Sequence, residues 1–491
     1  MAAPKVVSAK CPTCGANLPV SPGIFQITCR YCQNVIHVEH RKPPPEVRPF
    51  GSPGAMPSRT LYVDPAAMQA GRNVGLMILV VTLIPVVLPI LFIGGPWALR
   101  SCKSALKPFP ATCGLNEKVT VSGDFETTGP IVTSVGHNCK LHIKNAKLKG
   151  GTLLKTDASN VELTLENVTL ETTDVAVRSG ANLKVKAIGS TLTSGAAVFD
   201  SDSNMHLTLE GTTLEGKSAA VKSKHNLKVH MDGGKIRGQK AGVDTDANFN
   251  LTMKNGAEIA GASGVAVKTS SSFKLEAEGA KLDGGLIVSS NANIEATGLA
   301  ITAKDKAITA TSSLKLDLTD GSITSLGDAA IEAESSMELY LVNSTVQGAT
   351  NAINASSSAK VRASKKARIV ALQGSAVVGS SSTELTVADA TIEATVKAFR
   401  GTSGNKVKLT QGARLSGKQG GVEAESNLEV EATGATIEGG SGAALAGTSN
   451  ARVMFRQGVL KGNPALQFQR KPSSLDLDGT RVEGAQQVPA R

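Results

Sequence analysis

A repeat with a period of about 22 residues runs from near Asn116 to the C-terminus, and it limits what this chain can fold into more than any other feature. Asn116, Asn138, Asn160, Asn182, Asn204, Asn226 and Asn248 are evenly spaced at that period. A run of alternating apolar and polar residues follows each, as in Val161-Glu162-Leu163-Thr164-Leu165 and Met205-His206-Leu207-Thr208-Leu209. Period-two alternation with one apolar face signals a strand. The unit is too short for a strand plus a crossover helix, which takes about 30 residues.

Two more apolar columns recur inside each unit. One falls at Leu170, Leu192, Leu214, Ile236, Ile259 and Leu282, the other at Val177, Phe199, Val221, Val243 and Val267. Gly189, Gly211, Gly233 and Asn255 separate the columns where the chain must turn. Three short strands closing once per repeat make one coil of a parallel β-helix, a single-stranded solenoid. The markers continue as Ser272, Asn293, Ser313, Ser336, Ser358, Thr383, Asn405, Asn427, Asn450 and Ser474. Taken with the first seven, they keep a mean period of about 22.4. At about 4.8 Å per coil the rod is roughly 75–80 Å long. Aromatic residues make up only 3% of the chain, which suits a narrow interior filled by Ala, Val, Leu and Ile. The asparagines fit two roles: a ladder of side-chain amides bonded from coil to coil, or simple tolerance of the turn conformation.

The formal charge of +11 invites a nucleic-acid partner, but its distribution argues against one. Residues 1–114 hold 11 Lys and Arg against 3 Asp and Glu, leaving the repeat region nearly neutral with both signs mixed, as on a solvated surface. Lys365-Lys366-Ala367-Arg368 and Arg470-Lys471 are its notable basic clusters, without interleaved aromatics on which bases could stack. Nucleic acid is therefore not expected as a partner.

Upstream, no signal peptide is expected before Cys11-Pro12-Thr13-Cys14-Gly15, which Cys29-Arg30-Tyr31-Cys32 follows. Two C-x2-C knuckles, Cys11 with Cys14 and Cys29 with Cys32, suit tetrahedral Zn²⁺. With four protein thiolates the site would be structural; His37 and His40 read as spectators. Gly15 to Gly23 together with Ile27 to Cys32 resembles the zinc ribbons of the LSD1-type zinc-finger family over residues 9–38. Gln33 stands where a glycine often follows the last cysteine. The resemblance implies a compact β-ribbon linked to protein or nucleic-acid contact.

Residues 41–73 have the Pro- and Gly-rich composition of a flexible linker. The stretch from Val74 to Leu99 carries no charged residue. It exceeds the length of about 20 apolar residues that a helix needs to span a bilayer. Pro85 and Pro89 stand near its middle and Trp97 at its end. Residues 100–114 form a juxtamembrane segment. Zinc thiols favour a reducing compartment, which places the ribbon in the cytoplasm and the rod in the periplasm or outside the cell. Cys102 and Cys113 could then pair at the rod's base. Arg100, Lys103 and Lys107 argue for the reverse orientation, and a re-entrant hairpin is a third arrangement. Cys139 reads as a small buried hydrophobe.

The expected fold is thus mainly β: a zinc ribbon over 1–40, a transmembrane helix over 74–99, a parallel β-helix over 115–481 and a tail over 482–491. Its expected function is that of a membrane-anchored scaffold or adhesion-like protein with bilayer, protein or glycan partners, able to stack end to end. The alternatives are an envelope polysaccharide enzyme and a regulator acting through the ribbon. Convergent carboxylates would favour the enzyme, but Asp200, Asp202, Asp244 and Asp246 fall at turns, where aspartate is ordinary. No catalytic residue is assigned.

Overall fold

In a computed structural model, the described residues are 109–490, together with the backbone of four short strands nearer the N-terminus. The chain divides into two units, Met1–Gly95 and Pro96–Arg491. In the first, Val7–Lys10 pairs antiparallel with Asn17–Val20, and Gln26–Thr28 with Val35–His37.

The second unit is a long parallel β-solenoid. Each coil contributes one strand to each of three sheets. In one coil these are Leu183–Ile188, Thr191–Ser194 and Phe199–Ser201. Each pairs in parallel with its counterpart in the next coil: Leu183 with Met205, Leu192 with Leu214, and Phe199 with Val221. Strands of the repeat run from Ala111–Cys113 to Gln486–Gln487.

Because side chains alternate in and out of a strand, Leu183, Val185 and Ala187 point inward and are buried, while Lys184 and Lys186 point outward. Leu163, Val185, Leu207, Val229 and Leu251 stack in register up the first sheet. The Leu170 and Val177 columns do the same in the second and third sheets, and all are buried. Coil length varies without disturbing this pattern. Leu251 pairs with Leu275 across a coil longer than the mean, and Leu275 with Ile294 across a shorter one.

The corner before the first sheet holds its asparagines in the left-handed region: φ is 56° at Asn138, 59° at Asn160, 50° at Asn182 and 42° at Asn204. Asparagine is among the few residues that visit this region readily. Each side-chain amide also donates to the one below it. Nδ2 to Oδ1 distances are 2.8 Å for Asn138 to Asn116, 3.0 Å for Asn160 to Asn138 and 3.1 Å for Asn182 to Asn160. The ladder continues through Asn204, Asn226 and Asn248. From Asn116 to Asn226 the same residues serve as turn formers and as a ladder.

Four expected markers fall off this corner, Ser474 among them, which pairs with the outward Arg452. Asn293 lies on the outward face of the first sheet, and Asn291 takes the corner, accepting from Ser313 Oγ at 2.6 Å. Thr383 and Asn405 are inside the tube, each 1% exposed, with Ser382 and Gly404 at the positive-φ positions before them. A one-residue offset exchanges inside for outside. The polar pair fits there because glycines face it: a Cβ on Gly401 would overlap the Asn405 amide, and one on Gly379 the Thr383 hydroxyl. Among the described residues, neither the Asn405 amide nor the Thr383 hydroxyl has a hydrogen-bond partner.

The structure corrects several expectations. The disulfide joins Cys113 to Cys139, in place of Cys102 to Cys113. Cys113 ends the opening strand, Cys139 occupies the inward column one coil up, and both are fully buried. Cys139 is thus a cross-link as well as a core residue. Phe109 stacks on Phe125 at 5.4 Å beside this base.

The described residues contain no helix, hence none long and apolar enough to cross a membrane. Val74 to Leu99 and Cys102 lie outside them, as do Cys11, Cys14, Cys29 and Cys32. Nor do any three His, Cys, Asp or Glu among the described residues converge to hold a metal. Apolar residues here alternate into the tube, and acidic ones are spread over its outside. The fold the structure supports is the solenoid alone. The transmembrane helix, the zinc ribbon with its Zn²⁺, the bilayer partner and the single-pass localisation have no support in it and are not carried further.

Two outcomes follow. Asn182→Gly keeps the turn but breaks the ladder and should cost about 0.5–1.5 kcal/mol; Asn182→Ala must also force an alanine into the left-handed region, adding about 1–2 kcal/mol. Urea midpoints in that order are expected; equal midpoints would show that the turn conformation contributes nothing. A Cys113→Ala, Cys139→Ala double variant should lose about 2–4 kcal/mol of hydrogen-exchange protection over 111–148. Coils beyond residue 183 should keep theirs, because solenoid stability is a nearest-neighbour property.

Candidate functional site

Stacking in register brings the outward residue of each coil directly over that of the next. In two long stretches these neighbours alternate in sign. In the third sheet Arg178, Asp200, Lys222, Asp244 and Lys268 follow one another in register. Far up the first sheet the order is Glu338, Lys360, Glu384, Lys406, Glu429 and Arg452. Lys406 lies 3.0 Å from Glu429, and Lys140 3.0 Å from Glu162. Opposite charges placed directly across a strand pair contribute roughly 0.2–1 kcal/mol each, and like charges there destabilise.

The alternation fails in the middle of the first sheet. One outward column reads Lys184, His206, Lys228, Asn250, Lys274, Asn293, Lys315, with no carboxylate in the run. The next column, two positions along each strand, places Glu276, Glu295 and Asp317 over one another. Lys274 reaches across to Glu276 at 2.6 Å, and Lys315 to Asp317 at 3.3 Å. Glu162, in register below Lys184, is held by Lys140. Among the described residues Lys184 and Lys228 have no ion-pair partner.

From His206 to Lys274 in the first column, and from Glu276 to Asp317 in the second, these residues line a shallow trough, with Lys184 one coil below His206 at its end. A depression of about 530 Å³ is bordered by Asn204, Asn226, Asn248 and Lys228. A second, of about 470 Å³, adds His206 and His230 and shares Lys228, Asn250 and Lys274 with the first. A third, of about 570 Å³, contains Glu276, Glu278, Glu295 and Asp317 with Lys254. The trough is thus basic and amide-rich towards the N-terminal coils and acidic towards later ones.

Electrostatics follow this layout. Partial burial, then Lys184, Lys228 and His230, holds His206 below the usual imidazole range. The hydrogen bond from Lys274, then its charge, holds Glu276 below the usual carboxylate range.

The residues weighed from sequence belong elsewhere. Asp200 and Asp244 are members of the alternating third-sheet column. Asp202 pairs with Lys224 at 2.6 Å, and the hydrogen bond from that lysine lowers its pKa. Lys366 and Arg368 are paired with Asp389 and Glu393, which leaves that cluster a solvated face. Runs of adjacent charges drew attention in the sequence. The signal of the trough is a column instead, with lysines at 184 and 228 two periods apart and a histidine midway. No family model, curated protein or solved structure matches this chain.

The depressed pKa of His206 sets a pH dependence. The fold favours its neutral form, so its contribution to stability is present above the unfolded value near 6.5. That contribution is lost as pH falls below this value, through the lower folded pKa. A His206→Asn variant should therefore lose less stability than the parent between about pH 7.5 and pH 5. Urea midpoints at the two pH values measure it, and an identical acid loss in both proteins would refute the assignment.

Proposed function

We propose that this chain is a binding rod whose solenoid presents the outward face of its first sheet to an extended partner. What carries this reading is the coincidence of two features on one face: the trough, and the break in charge alternation. Natural sequences depart from local consistency mainly where function asks for it. Stacking Lys184, His206 and Lys228 in one column, and three carboxylates in the next, runs against the cross-strand pairing of opposite charge that stabilises the alternating stretches. The periodic scaffold also fixes the spacing of these groups, so an elongated ligand meets them at regular intervals.

The acidic half of the trough fits charge presentation better than acid–base catalysis. A general acid among paired carboxylates needs a raised pKa, whereas Glu276 is lowered and both it and Asp317 are held by the lysine on their own strand.

Accessibility in the native setting tests the reading. Thr208→Cys lies on the trough face, Thr193→Cys on the second sheet and Thr309→Cys on the third. Maleimide labelling of each, resolved by peptide mass spectrometry, is compared between purified protein and the cells that make it. Labelling at position 208 should slow roughly tenfold in cells, as nine-tenths occupancy would give, with the other two unchanged. Equal behaviour of all three faces would sink the proposal.

A further inference from the structure

Resting on that reading, we infer that the basic half of the trough, built from His206 and Lys228 beside Asn226, Asn248 and Asn250 and extended by Lys184 one coil below, is a binding site for an extended acidic polysaccharide. Three observations support this ligand class.

The first is the uncompensated charge. Lys184, His206 and Lys228 succeed one another in register at about 4.8 Å per coil. Neither lysine is neutralised by an ion pair among the described residues, since Glu162 below them is taken by Lys140. Their crowding also depresses the proton affinity of His206, after burial. An anionic ligand relieves this repulsion, which a neutral one cannot do.

The second is the spare hydrogen-bonding capacity of the asparagine ladder. A side-chain amide offers two donors and two acceptor lone pairs. Asn226 gives one donor to Asn204 and accepts one from Asn248, and the ladder is exposed along the trough edge. One donor and one acceptor remain on Asn226, repeated coil by coil. A sugar hydroxyl, itself both donor and acceptor, matches that pair.

The third is the period. Lys184 and Lys228, unpaired among the described residues, stand two coils apart, about 9.6 Å, which is the scale of a disaccharide; Lys274, two coils further on, is held by Glu276. A uronate chain, with carboxylates on alternate rings or on every ring, brings a charge to each lysine at this spacing and its hydroxyls to the amides.

Other polyanions fit less well. Single-stranded nucleic acid needs aromatic platforms for its bases, and the outward column from Lys184 to Lys315 has none, since Phe249 and Phe273 point inward. An acidic peptide would gain its affinity from an open sheet edge or an apolar anchor pocket. Here the strands of Lys184, His206 and Lys228 are paired on both sides.

Titration of the full chain with a fluorescent oligogalacturonate tests the assignment, alongside a neutral oligosaccharide of equal length, polyglutamate and oligo-dT. The oligogalacturonate should bind, weaken as salt rises, and outcompete the other three. Lys184→Ser with Lys228→Ser should reduce its affinity at least about tenfold, while Lys222→Ser with Lys268→Ser, an equal charge removal on the third sheet, should change it less than about twofold. All four sites are outward-facing, so an unchanged melting profile confirms that the variants fold. Absence of binding, equal losses in the two variants, or tighter binding of polyglutamate or oligo-dT would overturn the inference. Excess oligogalacturonate should also displace whatever protects position 208. Protection that persists would overturn the polysaccharide assignment while leaving the binding rod standing. Loss of face-selective protection in cells would remove the rod reading itself.

Discussion

Every feature of this rod depends on parallel, in-register hydrogen bonding between one coil and the next. Once Leu183 is paired with Met205 and Met205 with Leu227, each side chain has a fixed neighbour about 4.8 Å above and below. The interior then needs no globular core: leucine on valine on leucine fills a tube. The exterior is equally constrained. A residue cannot avoid its counterpart in the next coil, so identical charges collide and opposite ones pair. The asparagine ladder is the same geometry expressed at a corner, with an amide stacked on an amide because the backbone sets one directly over the other.

This also explains why coil length can drift. The pairs Leu251–Leu275 and Leu275–Ile294 enclose a long coil and then a short one, yet inward residues remain inward on both sides. Length changes are absorbed at turns, where no pairing register is at stake. Inside a strand, by contrast, a slip of one residue would exchange core for surface along its length. Glycine supplies tolerance of another kind. Gly379 and Gly401 make space for Thr383 and Asn405 in a column that elsewhere holds apolar residues from alanine to phenylalanine.

The architecture was legible from sequence because a solenoid writes its structure as a period. Three inward columns, both turn positions and the asparagine ladder all follow from residues one period apart. Legibility ended where the period stopped deciding. Thr383 and Asn405 look like turn markers by type, and their burial depends on Ser382 and Gly404 taking the positive φ one position earlier. Cys139 was read as apolar because its column is apolar. Its partner Cys113 lies off the spacing of the repeat, where the opening strand meets the first full coil. The expected zinc ribbon and membrane helix came from local motifs outside the repeat, where no neighbouring coil could test them. The trough was hidden because its residues are scattered in sequence and meet only after stacking.

Charge order along the outside acts as a second code laid over the hydrophobic one. Alternation such as Arg178, Asp200, Lys222, Asp244, Lys268 favours the native neighbour, since a displaced coil of equal length would set like charge on like. Where this code is kept, the surface is satisfied by the rod itself and has little to offer a ligand. Where it is broken, from Lys184 to Asp317 on the first sheet, charges of one sign accumulate, and Lys184 and Lys228 remain available. A solenoid has few other means of building a site, because its described coils carry no long loops to gather residues from a distance. Departure from its own charge pattern is therefore how a regular surface of this kind comes to have a recognisable place on it.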